Sequence, residues 1–162
     1  MSGNPVQIYM NKVRVRVSGI LIENDKILLV NHSGLTKNFI FWNPPGGGIE
    51  FGENAKGALK REFIEETGLE VHVGDFLFIN EVKTTDLHAI ELFFEVTKLG
   101  GKLVVGKDPE HHKNQLIKNV DFLSLDQLHN LPKSSVHNSL QNLRKISDIF
   151  DSAGYSWFSS TY

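Results

Sequence analysis

Glu62, Glu65 and Glu66 stand at i, i+3 and i+4 in a stretch whose apolar residues recur with helical spacing, which puts three carboxylates on one helix face. Carboxylates this close repel one another, and Lys56, Lys60 and Arg61 offset them only in part. A hard divalent cation bridging the oxygens relieves the repulsion, and such donors suit Mg²⁺ or Mn²⁺. Five of the eleven Glu residues lie between positions 50 and 66, where five acids face three bases. That short segment therefore carries a formal −2, the same as the whole 162-residue chain. Cys is absent, which excludes thiolate metal sites, disulfides, redox pairs and Cys nucleophiles.

An acidic helix face alone is ordinarily a solvated surface. The segment just upstream changes that reading. Asn43-Pro44-Pro45-Gly46-Gly47-Gly48 suits neither a helix nor a central strand. Its glycines let backbone approach a metal or a phosphate with no Cβ in the way and can aim a carbonyl oxygen at a cation. Mg²⁺ held by a few carboxylates and completed by phosphate oxygens and water is a usual arrangement for phosphoryl chemistry.

These groups need a scaffold. Val13 to Ile22 reads as a strand entering a buried sheet, Asn24-Asp25 as a turn, and Lys26 to Asn31 as a second strand that closes a hairpin with the first. Ala55, Leu59 and Phe63, with Ala58 alongside, give a helix over about residues 55–67, capped by Asn54 and stopped by Gly68. Three strands follow in Val71–Lys83, His88–Leu99 and Asn119–Leu123, and Ile90, Leu92, Phe94 and Val96 share one face of the second. Ser134 before Val136, Leu140, Leu143 and Ile146 predicts a second amphipathic helix, whereas 151–162 has no period and reads as an irregular tail. No repeat or linker interrupts the chain, so 1–162 is expected to be a single α/β domain with a core over about 12–150 and helices packed on a mixed sheet.

The stretch from Gly47 to Leu69 also carries a family resemblance. It is similar to the signature of the Nudix hydrolases, G-x₅-E-x₇-R-E-U-x-E-E-x-G-U with U apolar. Gly47, Glu53, Arg61, Glu62, Phe63, Glu65, Glu66, Gly68 and Leu69 fill every position, Phe63 being a looser fit to U than Leu or Ile. A chance match in a chain this long is on the order of one in ten million. The resemblance implies an α/β/α sandwich with a mixed β-sheet and metal-dependent hydrolysis of the diphosphate linkage in a nucleoside diphosphate derivative. It assigns Glu62 and Glu66 as metal ligands, Glu65 as an additional one and the Gly46 carbonyl as completing the shell. Glu53 and Arg61 then position loop and helix through a salt bridge. Water displaces at phosphorus, and the carboxylate that takes its proton is either a box glutamate or Glu110, with Asp108 behind it, in the charged segment 107–114.

Other residues carry weaker signals. Arg14 and Arg16 share a strand face and, like Gly47, could meet substrate phosphate. Phe41 and Trp42 stand where a base could stack, although aromatics at a strand end are more often core. His111-His112, His32 and His88 read as ordinary solvated histidines. Within the family, a Tyr some sixteen to eighteen residues past the box would suggest dinucleoside polyphosphates and a Pro there ADP-ribose. Thr84-Thr85-Asp86-Leu87 offers neither, and the upstream pattern associated with coenzyme A is also missing. The leaving group stays open, with nucleotide sugars and oxidised nucleoside triphosphates among the candidates.

The net charge of −2 and isoelectric point near 6.4 argue against nucleic acid as a partner. No apolar run approaches the roughly 20 residues of a membrane span. Met1 to Pro5 lacks the features of a signal peptide, so a cytoplasmic protein, monomer or homodimer, is expected. The rival class is a nucleotide-sensing module that keeps the fold without turnover, against which the intact box speaks.

Overall fold

Alternation from Val13 to Val17 followed by the continuous apolar run at Ile20 marks a strand passing from a half-exposed end into a buried one. The computed structural model describes residues 12–33, 40–85, 87–106 and 116–159. It forms β1 over Val13–Ile20, with Val13 and Val15 exposed and Val17 and Ile20 fully buried. β1 belongs to a five-stranded mixed sheet with β5 (Gly46–Gly48), β6 (Leu69–Lys83), β7 (His88–Gly101) and β9 (Gly154–Ser159), in the order β5-β1-β7-β6-β9. The β1–β7 and β6–β9 pairs are parallel, and the β1–β5 and β6–β7 pairs antiparallel. In a second, antiparallel sheet β3 (Lys26–Ser33) pairs with β2 (Ile22–Glu23), β4 (Ile40–Asn43) and β8 (Ile117–Ser124).

The expected hairpin survives only at its tip. Ile22 pairs with Ile27 and Glu23 with Lys26, around Asn24 and Asp25 at φ 51° and 55°, the left-handed pair of a type I′ turn. The rest of β1 pairs elsewhere because the chain changes sheets at Leu21. Ile20 faces one core and Leu21 the other, which is why the run there is apolar on both sides.

Helix α1 (Ala55–Thr67) has the expected bounds. The Asn54 side chain accepts from the Gly57 N–H at 2.8 Å, and Gly68 ends the helix at φ 72°. Ala58, Leu59 and Phe63 are fully buried on the face turned to the sheets. Phe63 fits because Gly19 of β1 has no side chain: a Cβ there would collide with the Phe63 ring and with Val96. The aromatic residue at that box position is thus matched by a glycine opposite. Gly68→Ala combines a left-handed φ with a Cβ 2.7 Å from the Lys102 carbonyl and should lower the unfolding free energy by about 1–3 kcal/mol. Urea denaturation checks this, and an unchanged midpoint would refute it.

The opposite side is not built as expected. Val136, Leu140, Leu143 and Ile146 are buried in one cluster with Ile20, Phe78, Phe93 and Trp42, as the spacing requires. They are carried not by an α-helix but by 3₁₀ turns at Lys133–Ser135, Asn138–Leu140 and Ile146–Asp151, which follow the short helix α2 (Leu125–His129). Local side-chain bonds divert the backbone. Ser135 Oγ donates to the Pro132 carbonyl at 2.7 Å, Ser139 N–H donates to His137 Nδ1 at 3.3 Å, and Val136 bridges to Trp42. The tail read as irregular is also corrected: Gly154–Ser159 is β9, parallel to β6 from Phe78↔Gly154 to Lys83↔Ser159. With α1 on one side and the turns on the other, the mixed sheet and the antiparallel one form the middle of an α/β fold. Among the described residues no helix is long and apolar enough to cross a membrane.

Candidate metal and phosphate site

The glycine turn is an edge strand, not a free loop. Ser18, Val17 and Arg16 of β1 pair with Gly46, Gly47 and Gly48, and Gly19 N–H donates to the Pro45 carbonyl at 2.9 Å. Anchored there, the turn lies against α1. Gly46 N–H donates to Glu66 Oε2 at 2.9 Å, and a Cβ on Gly47 would occupy the space of the Glu62 carboxylate. Two box glutamates, one turn of helix apart, thus rest on consecutive glycines.

Arg61 ties the turn to the helix. Nε and Nη2 grip the two Glu53 oxygens at 2.8 and 2.9 Å, Nη2 also donates to the Gly48 carbonyl at 3.2 Å, and Nη1 donates to Glu62 Oε1 at 2.9 Å and Glu65 Oε2 at 3.1 Å. Glu53 in turn accepts from Glu50 N–H at 3.1 Å. The Arg61 bonds hold the Glu53 carboxyl down at about 2, and the Glu53 bond raises Arg61. Glu62 moves the other way: burial pushes its carboxyl up, against the pull of Arg61.

The expected convergence of Glu62, Glu65 and Glu66 is only partly seen. Glu62 and Glu65 share one Arg61 nitrogen, while Glu66, 5% exposed, turns to Gly46 N–H and to His32 Nε2 at 3.6 Å. Among the described residues no three His, Asp or Glu side chains form a ready metal cluster. The partners account for the split, since Arg61 Nη1 draws Glu62 and Glu65 together while the Gly46 N–H and His32 hold Glu66. The donors still fit a hard cation. They are carboxylate oxygens, and the burial that disfavours ionised Glu62 is relieved by a bound positive charge.

The remaining candidates fall as follows. Arg14 lies over Gly48, its Nη2 3.0 Å from where a Cβ would stand. Arg16 is half-buried and donates Nη2 to the Gly46 carbonyl at 3.2 Å, so the carbonyl expected to face a metal already accepts from an arginine. Phe41 is half-buried, its ring 6.3 Å from that of His137, and Trp42 is core. Glu110, Asp108, His111 and His112 lie outside the described residues.

Three polar groups were missed. His32, read as solvated, is buried beside Glu66, and His88 Nε2 meets Glu81 Oε1 at 2.7 Å. Glu91 is 5% exposed, with His137 Nε2 at 2.8 Å and Asn80 Nδ2 at 2.9 Å from its Oε2. Its neighbour on the same strand face, Phe93, was the available signal that this face is covered. Burial opposes ionisation of Glu91, but His137, Arg16 and Asn80 together outweigh it and hold the carboxyl at about 2, below the ordinary 4.5. A carboxyl depressed in the folded state stabilises above its unfolded value and loses that contribution as pH falls toward the folded one. The stability difference between wild type and Glu91→Gln should therefore be full above about pH 5, up to about 3 kcal/mol, and shrink toward about pH 2. Denaturant titrations at stepped pH read it, and a difference independent of pH would contradict the assignment.

The NUDIX domain model matches residues 12–143, and the chain belongs to that family. It is 34% identical over 121 residues to the ADP-ribose pyrophosphatase of Methanocaldococcus jannaschii, a match covering 74% of this chain and 64% of that one, so it spans less than two thirds of that relative. Its fold is similar to that of a UDP-X diphosphatase (21% identity, TM-score 0.66, 90% of this chain and 68% of that one). A MutT protein from Bacillus halodurans is similar too (20% identity, TM-score 0.65, 91% and 90%).

Proposed function

We propose that this protein hydrolyses the diphosphate linkage of a nucleoside diphosphate derivative, with Mg²⁺ or Mn²⁺ held by Glu62 and Glu66 and assisted by Glu65. The observation that carries the reading is the seating of Glu62 and Glu66 on consecutive glycines of an anchored turn. Two carboxylates are thereby presented at a backbone edge that a phosphate can approach closely. The cation supplies charge neutralisation on the diphosphate and acidifies the attacking water. The chain supplies the rest. Gly46 N–H fixes one Glu66 oxygen, Arg61 and Glu53 lock turn to helix, and Arg14 lies over Gly48 at the same edge, which brings a guanidinium to the place where the phosphate would enter. The proton of the attacking water goes to a carboxylate of the box or to Glu110.

ADP-ribose is the first substrate to try because a relative at 34% identity is named for it, followed by a nucleotide sugar and an oxidised nucleoside triphosphate. Each is incubated with and without Mg²⁺ and the products identified. Metal-dependent release of a nucleoside monophosphate is expected. Tight binding without cleavage of any of them would favour the sensing module instead.

A further inference from the structure

Two carboxylates are buried among the described residues, Glu66 and Glu91. The first belongs to the candidate site, and the second has no part in the chemistry proposed above. Glu91 nevertheless lies in a lateral row that ends at that site: Gly48, Arg16, Glu91, Asn80 and Ser156 are successive register partners across β5, β1, β7, β6 and β9. Its Oε2 accepts from Asn80 Nδ2, and Asn80 Oδ1 accepts from Asn138 Nδ2 and Ser156 Oγ, each at 2.9 Å. Ser139 N–H donates to His137 Nδ1, which leaves Nε2 to carry the proton given to Glu91. The carboxylate is thus gripped from two elements besides its own. Arg16 stands next in the row as its register partner on β1, with Nη2 on the Gly46 carbonyl and Nε buried without a hydrogen-bond partner among the described residues; neither Glu91 nor Glu62 bonds it, so both act on it through their charge alone.

We propose that Glu91 is a positioning residue for the candidate metal site: fixed by His137 and Asn80, its carboxylate holds the Arg16 guanidinium on the Gly46 carbonyl and so sets where that peptide unit stands. This rests on the reading of Glu62 and Glu66 as metal ligands. A buried anion draws the nearest cation, and the planar guanidinium transmits its position to the acceptor it bonds. Without the Glu91 charge, the pull of Glu62 on Arg16 is no longer balanced from the β7 side, and the guanidinium shifts toward it, away from Gly46 and onto a ligand.

The test is Glu91→Gln, with Glu91→Asp as the second variant because it keeps the charge and withdraws it by one methylene. Two readouts are needed. In ¹⁵N NMR, wild-type Arg16 should show resolved, slowly exchanging Nη protons that collapse in Glu91→Gln and broaden in Glu91→Asp. Titration with Mn²⁺ alone, followed by electron paramagnetic resonance of the free ion, should show affinity lowered about ten- to hundredfold in Glu91→Gln and less in Glu91→Asp. A variant that loses thermal stability while Arg16 stays locked and Mn²⁺ binds as in wild type would make Glu91 a structural residue only and overturn the proposal. Release of Arg16 with unchanged Mn²⁺ affinity would overturn its link to the site. Wild type that binds no Mn²⁺ while Arg16 is locked by Glu91 would instead sink the metal-site reading on which the link depends.

Discussion

Glu66→Gln is expected to lower kcat/KM by about a thousandfold, equivalent to about 4 kcal/mol of transition-state stabilisation, while leaving the protein folded. The substitution keeps the shape of a buried side chain and keeps an oxygen to accept the Gly46 N–H now bonded at 2.9 Å. What it removes is one negative charge and one anionic donor from a residue 5% exposed, where a charge acts through little solvent. Replacing a charge-assisted bond by a neutral one costs the fold modestly, so the unfolding midpoint should move by only a few degrees. Glu62→Gln should act in the same direction and relieve the burial that raises its carboxyl. Its effect on stability is therefore expected to be smaller still, or favourable. Steady-state kinetics on a confirmed substrate at saturating Mg²⁺, with thermal unfolding alongside, separates the two effects. Wild-type turnover in both variants would mean the ligands are elsewhere.

The contrast between these glutamates and Glu91 marks how far the sequence could be read. Glu62 and Glu66 were legible because they share a helix with their own capping signals. Asn54, the four-residue apolar spacing and Gly68 delimit Ala55–Thr67, and the spacing of the acids needs no knowledge of other elements. Glu91 was not, because its importance depends on which residues stand beside it on β1 and β6 and on a turn 46 residues away in sequence. Parallel pairing of β1 with β7 is set by the whole sheet and leaves no local mark.

The segment 133–151 failed for the opposite reason. Its apolar positions were read correctly as buried, but periodicity reports burial and not the backbone that achieves it. Ser135, His137 and Gln141 spend their side chains on nearby carbonyls and amides, and 3₁₀ turns result. In β9, Tyr155 and Trp157 are exposed on one face and Phe158 is exposed on the other, so no alternation could announce a strand. Only its aromatic composition could have done so.

Gly47→Ala should separate activity from stability more sharply than any charge substitution. Gly47 has no positive φ, so alanine meets no backbone strain, and the obstacle to its Cβ is the end of the Glu62 side chain. That end can swing away, and the expected cost is a fall in kcat of about a hundredfold or more with a midpoint near wild type, since misplacing a ligand by about an ångström is enough. Gly46→Ala differs. Its φ is 153° and the new Cβ would meet the backbone of Val17 and Ser18, which cannot move without opening β1, so stability falls first and activity with it. Combining Gly47→Ala with Glu62→Gln supplies the decisive comparison. If the methyl group acts by displacing that carboxylate, the double variant should be no slower than the worse single one, because both disable the same group. Multiplicative losses would mean that the methyl group obstructs the substrate directly and that the glycine is there for the phosphate, not for Glu62.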